Sequence, residues 1–518
     1  HSRVETGRAI RHRAVGWGDR VTTGWESGGV RGSVQAVQGN IAIIGAGFAG
    51  LLAGIQLKQA GISSFAIYER AERLGGTWRD NVYPGAACDV PAQLYSYSFE
   101  PKPDWSRKFA EQPEILAYIE HCARKYGVLP HVRCGVEITD AQYDESRACW
   151  QLRSAAGEQI EAQVVISAVG QLSRPAYPRI AGLDRFAGPA FHSARWRSDV
   201  PLSGRRVAVI GTGASAIQFV PPVAEVAGRL LIFQRSPPWI MPKPDRAYGR
   251  WEQQIYKWLP LAQSLLRKGL FAYFELGHGG LRRGSAMNRL AQWLCERNLR
   301  KSVTDERLRK VLLPDYPAGC KRILISNDYY RAVQQPHVSV LTSPIAEVCP
   351  DGLRTEDGVL HEADVIIYGT GFAASDLLAP LRIRGRQGAE LRACLQRGSG
   401  AYLGICVSRF PNFFMLYGPN TNLGHNSILY MLEAQVRYVL SAISVLRSGA
   451  ARFVDVKPEP MQRFRAELAE RLGESIWAAG CSSWYQTEAG VQTNNWPGPA
   501  LEYERRTRQI NLADFETG

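Results

Sequence analysis

Two glycine turns hold the residue types best suited to chemistry. In IAIIGAGFAGLLAGIQL (41–57) an apolar run meets Gly45, Gly47 and Gly50 and then continues as an amphipathic helical pattern. The spacing is GxGxxG. Gly45 permits a tight turn, Gly47 lets the backbone approach a pyrophosphate, and Gly50 lets helix and strand pack closely. The helix start offers N–H groups to the phosphates, so Gly45, Gly47, Phe48, Ala49 and Gly50 are candidate cofactor residues. The next strand, SFAIYE, ends in Glu69, placed to accept hydrogen bonds from ribose hydroxyls. RVAVIGTGASAIQFV (206–220) repeats the pattern with Gly211, Thr212, Gly213, Ala214 and Ser215, followed by Gln218. Its next strand, RLLIFQRS (229–236), ends in Gln234, Arg235 and Ser236 where an acid would otherwise stand. An Arg with a hydroxyl neighbour suits a 2′-phosphate. The first turn therefore predicts FAD and the second NADPH, two cofactors that exchange electrons.

Such turns need parallel sheets to hold them. The expected fold is α/β, with two Rossmann-like dinucleotide-binding domains. VVISAVGQ (164–171) and ADVIIYGTGF (363–372), the latter running into Gly369 and Gly371, read as strands that return to the flavin domain or cross between domains. The expected order is a disordered leader over 1–38 and a first flavin part over 39–175. A linker over 176–204 and an NADP domain over 205–364 follow, the latter carrying a helical insertion near 246–313. A second flavin part over 365–505 and a tail over 506–518 complete the chain.

Composition narrows the classes. The 518 residues exceed one domain, and 45% hydrophobic with 21% charged residues is ordinary for a globular protein. The net charge of +14 is scattered, without a basic run, which argues against nucleic-acid binding. Ten cysteines stand singly with no CxxC, so neither a zinc site nor a disulfide framework is expected, and a reducing cytoplasm fits best. No apolar run is read as a transmembrane segment. WLPLAQSLLRKGLFAYF (258–274) comes nearest and is broken by Arg267 and Lys268; it suits a core helix or contact with a membrane surface. The first 38 residues are polar and Arg-rich, without a signal-peptide core.

FAGPAFHSARWRSD (186–199) lies just before the second turn and carries a family resemblance. It resembles the FxGxxxHxxxW signature of type I Baeyer–Villiger monooxygenases, class B flavoprotein monooxygenases, through Phe186, Gly188, His192 and Trp196. Arg197 departs from the Pro or Asp that follows there. ERLGGTWRDNVYPGAACDVPAQLYSYSF (72–99) is similar to the family segment bearing Gly76, Trp78, Asp89 and Tyr95. PAGCKRILISNDYY (317–330) resembles the one presenting a Lys-Arg pair, here Lys321 and Arg322. YGPNTNLGHNSILYMLEAQ (417–435) and NNWPGP (494–499) look like its later flavin-domain segments.

The resemblance implies a FAD-dependent, NADPH-consuming enzyme that reacts with O2 through a C4a-peroxyflavin and converts a small-molecule ketone to an ester or lactone. It implies that Arg322 is the cation beside the reacting oxygens, that Asp89 pairs with it, and that Lys321 joins Arg235 at the NADP phosphate. The His192 motif would couple the motions of the two domains. An N- or S-oxygenating flavin-containing monooxygenase is the nearest alternative, but it lacks the Arg of the CKR segment. A disulfide oxidoreductase would need a cysteine pair. Substrate walls are expected from about 85–100 and 428–435, and around Trp484, Tyr485 and Trp496. Oligomeric state is not legible.

Overall fold

The computed structural model describes residues 40–373, 378–396, 400–480 and 492–518. The expected leader, Trp484 and Tyr485 lie outside them. Two five-stranded parallel sheets organise the rest. In the first, Ile41–Ile44 lies between Phe65–Glu69 and Val164–Ser167, with Val132–Cys134 and Phe413–Met415 at the edges. Its central strand is buried at every position, as expected where both faces are covered. Helix Phe48–Gln59 covers one face and is itself packed against helix Ile428–Arg447. A four-stranded sheet built on Ile138–Asp144 and Cys149–Ser154 covers the other, with Trp150 buried against Phe413.

The second sheet runs Val338–Leu341, Arg229–Phe233, Arg206–Ile210, Val365–Tyr368, Ala190–His192, all parallel. Two expected boundaries move here. Val365–Tyr368 does not open the second flavin part; it pairs with Arg206–Ile210 because its four apolar residues fill the second core. Ala190–His192, expected in the linker, is this sheet's edge strand. Within the expected tail, Phe515–Thr517 pairs antiparallel with Val454–Val456. The insertion is helical, as Arg250–Trp258, Pro260–Leu276, Ala286–Ser302 and Glu306–Leu312.

One helix, Ile428–Arg447, is long and apolar enough to cross a membrane by length and composition. Over half of its most apolar window is buried inside the fold, so its apolarity serves the flavin-side core. Cys320 is disulfide-bonded, so the cysteines do not all stand alone.

Candidate active site

Both glycine turns open onto one cavity of about 1220 Å³. The turns share one construction. Gly45 and Gly211 both take φ +104°, and a Cβ on either would strike a carbonyl of the neighbouring strand end, Ala168 at 2.6 Å and Gly369 at 2.5 Å. The middle glycines differ in kind. A Cβ on Gly47 would meet only the Gly76 Cα at 3.7 Å, and one on Gly213 only the Gly369 oxygen at 4.0 Å. The space beside them is cavity, as a backbone cradle for phosphates requires. Gly50 lies off the cavity; its Cβ would fall 1.9 Å from the Gly45 oxygen, so it serves helix–strand contact. These residues fit a dinucleotide at each turn. Gly47→Ala is therefore expected to fold but purify without bound flavin. Gly50→Ala should destabilise the apo-protein by about 1–3 kcal/mol through overpacking. Flavin absorbance and thermal unfolding of the apo-proteins check both.

Phe48 and Ala49 line the cavity beyond the first turn, with Gly76, Trp78 and Tyr95. The Trp78 indole donates to the Tyr95 hydroxyl at 3.1 Å, and the Phe48 and Tyr95 rings meet edge to face. Glu69 is buried, with Oε2 accepting from the Ala46 N–H at 2.9 Å and Oε1 from Arg79 at 2.9 Å. Arg79 also holds Asp80 at 2.8 Å. The sequence reading passed over Arg79, though it directly follows Trp78. It also missed that Gln218 joins the two domains. Gln218 accepts from the Tyr83 hydroxyl at 3.0 Å and donates to the Ala87 carbonyl at 2.9 Å, which engages its amide with protein while it lines the cavity. Burial pushes the Tyr83 phenol up to about 12, so it stays a donor. Asn422 and Asn495, from the two later segments, join through a side-chain hydrogen bond of 2.7 Å.

At the second turn, Thr212, Ala214, Ser215, Arg235, Ser236 and Lys321 line one region of the cavity, with Gly371 (φ +80°) just past the end of the returning strand. The Lys321 ammonium donates to Ser236 Oγ at 2.8 Å. Burial, reinforced by the neighbouring Arg235 charge, pulls the Lys321 ammonium below the ordinary lysine range. Two cations forced together in this way favour an anion between them.

Arg322 and Asp89, 233 residues apart, meet on the cavity wall. Asp89 Oδ2 accepts from Arg322 Nε at 2.9 Å and lies 2.7 Å from Nη2. One edge of the guanidinium is thereby fixed in plane. Ile428, Leu429, Leu432 and Val90 supply apolar wall nearby in the lining. Trp496 does not: it is buried in the core, stacked on Phe464, because its indole N–H finds the Pro499 carbonyl there.

The His192 motif sits beside the cavity, not on it. A Cβ on Gly188 would lie 2.5 Å from the Asp364 oxygen, so only glycine admits this approach to the returning strand, and the Phe186 ring covers it. Trp196 packs on Phe191 and Phe219. His192 is fully buried, and its ring meets Tyr177 and Phe372, both cavity residues. Its Nδ1 accepts from the Ala194 N–H at 3.1 Å. Arg197 points outward and pairs with Asp199, taking no part in the motif's packing. Burial holds the His192 imidazole down at about 4 from an ordinary 6.5. The unfolded chain thus binds the proton first. His192 contributes its stability above pH 6.5 and loses it as pH falls toward 4, roughly 3 kcal/mol in all. Thermal midpoints across that window should fall more steeply for the wild type than for His192→Leu.

The fold and these two turns define a flavoprotein of the two-dinucleotide class. The sequence model of the flavin-binding monooxygenase-like family matches residues 38–378, and the chain belongs to that family. It is 43% identical to a Baeyer–Villiger monooxygenase of Pseudomonas aeruginosa, over 92% of this chain and 90% of that protein. It is 41% identical to a Baeyer–Villiger monooxygenase of Streptomyces coelicolor, over 92% of each. The structure of OTEMO in complex with FAD and NADP superposes with a TM-score of 0.84 at 28% identity, covering 93% of this chain and 99% of that one. The resemblance read from the sequence holds over nearly the whole chain. This is an NADPH-dependent flavoprotein monooxygenase acting on a small molecule and O2.

Proposed function

We propose that this chain inserts one oxygen atom of O2 next to the carbonyl of an apolar ketone, giving an ester or lactone. When bound, FAD takes hydride from NADPH and activates O2. The protein's part is positioning, charge and exclusion of water. The first turn and Glu69 hold the flavin dinucleotide. The second turn, Arg235, Ser236 and Lys321 hold NADPH. Arg322 presents a permanent cation to the negative charge that develops on the substrate's carbonyl oxygen, oriented by Asp89.

The observation that carries this reading is the Arg322–Asp89 pair on the wall of the cavity that both turns share. An oxygenase acting on amines or sulfides has no need of a cation aimed at a developing oxyanion. The test is product analysis of the FAD-loaded enzyme with NADPH, offering linear and cyclic ketones beside amines and sulfides. Esters or lactones are expected. Products from amines or sulfides alone would overturn the ketone assignment.

A further inference from the structure

The helical insertion is built inside out. On Pro260–Leu276, Gln263 is buried at 4% exposure, while Leu261, Leu265, Tyr273 and Leu276 are 58–71% exposed. Arg267 reaches inward, donating to the Gln93 and Leu94 carbonyls and to Ser96 Oγ at 2.9–3.3 Å. A helix that meets only water shows the opposite pattern, polar outside and leucine inside. Trp258, at 76%, extends the apolar face across the junction with the preceding helix, and Trp293 stands 51% exposed on the following one. Single exposed apolar residues need no explanation; a run of this extent marks a binding surface.

The charge of the same segment selects the occupant. Residues 246–313 hold fourteen Lys and Arg against five Asp and Glu, a net +9 of the chain's +14. Within 250–302 Lys257, Lys268, Arg282, Arg283, Arg289 and Arg297 are among the exposed basic side chains, and no acidic residue is exposed. Glu252 pairs with Arg246, Glu275 with His425 and Glu296 with Arg300, so each acid of this stretch is engaged by a neighbouring base. A second copy would bring the same positive face and be repelled. The chain's own first 39 residues, with six Arg against three acids, carry the same sign. Trp, Tyr and Leu interleaved with exposed Lys and Arg match the headgroup–acyl boundary of an anionic bilayer.

We propose that helices Arg250–Trp258, Pro260–Leu276 and Ala286–Ser302 dock this enzyme on the surface of anionic membranes. The placement gives docking a use. The inner face of Pro260–Leu276 packs on residues 93–96 and on Asn426 and Tyr430, next to the cavity residues Tyr95 and Ile428. An apolar small molecule dissolved in the bilayer is thereby held close to the cavity wall.

The test is flotation of the FAD-loaded full chain with phosphatidylcholine vesicles, with and without about a third phosphatidylglycerol. Binding is expected to the anionic vesicles, to weaken steeply with salt, and to be near background on neutral ones. The Trp258→Ser/Leu261→Ser/Leu265→Ser variant should lose at least about tenfold in vesicle affinity with unchanged flavin content and unchanged turnover of a water-soluble substrate. Lys257→Glu/Arg297→Glu should lose binding to anionic vesicles in the same way. Wild-type protein that floats with neither vesicle overturns the proposal. So does a dimer in solution that the triple-Ser variant dissociates, which would make a second copy the occupant. Equal, salt-insensitive binding to neutral vesicles overturns the electrostatic part and with it the assignment to anionic lipid.

Discussion

Arg322→Ala is expected to go on oxidising NADPH while ester formation falls on the order of 10²–10³-fold, the usual loss for a preorganised donor removed from a developing oxyanion, about 2.7–4 kcal/mol. The geometry separates the two activities. Arg322 lies with Asp89, whereas Arg235 and Lys321, the cations proposed for NADPH, cluster with Ser236. Loss of the guanidinium therefore leaves hydride supply intact and removes stabilisation only where charge develops on substrate oxygen. The measurable signature is uncoupling, in which each NADPH consumed yields hydrogen peroxide in place of ester. Arg322→Lys should recover little. A single ammonium cannot place two donors on Asp89 Oδ2 and hold a plane as Nε and Nη2 do. Asp89→Ala should fall between, with the cation kept but its pose lost. An Ala variant that retains the wild-type ratio of ester to NADPH would remove Arg322 from the chemistry.

How far the sequence was legible depended on the range over which each feature is determined. The glycine turns are local. Their φ values and close approaches are set within one strand–turn–helix unit, so Gly45, Gly50 and Gly211 were readable from spacing and sit as the pattern demands. The assignment of Val365–Tyr368 to a sheet is not local. Its four apolar residues would suit either parallel sheet, and only its pairing with Arg206–Ile210 decides. Ala190–His192 is three residues long, too short for a strand period to show, and it hid inside a motif read as a linker. The place of Gln218 after the turn suggests a cofactor residue; its bonds to Tyr83 and Ala87 depend on a segment more than 130 residues away. An aromatic residue such as Trp496 suits a pocket wall, yet an indole with a carbonyl at hand buries as well in a core. The Asp89–Arg322 contact came from family resemblance, since nothing in spacing alone could join two residues so far apart.

Coenzyme choice is the second large effect. Arg235→Ala and Lys321→Ala should each raise KM for NADPH roughly 10- to 100-fold, the equivalent of about 1.5–3 kcal/mol for a charge-assisted hydrogen bond to phosphate. KM for NADH should stay nearly constant, because NADH offers no phosphate at that position. The double variant should lose less than the two single losses combined, since the cations are coupled: each raises the energy of the other until an anion arrives. For the same reason, NADPH binding should raise the Lys321 ammonium toward its ordinary range, with net proton uptake at alkaline pH that Lys321→Ala abolishes. Kinetics with both coenzymes, and calorimetric binding of NADP+ in buffers of different ionisation enthalpy, read these effects separately. A parallel loss for NADH would mean that Arg235 and Lys321 face the pyrophosphate. Discrimination would then have to come from Ser236 and Thr212, whose hydroxyl reaches the Ser236 carbonyl at 3.1 Å, and neither of them carries charge enough to set a large preference.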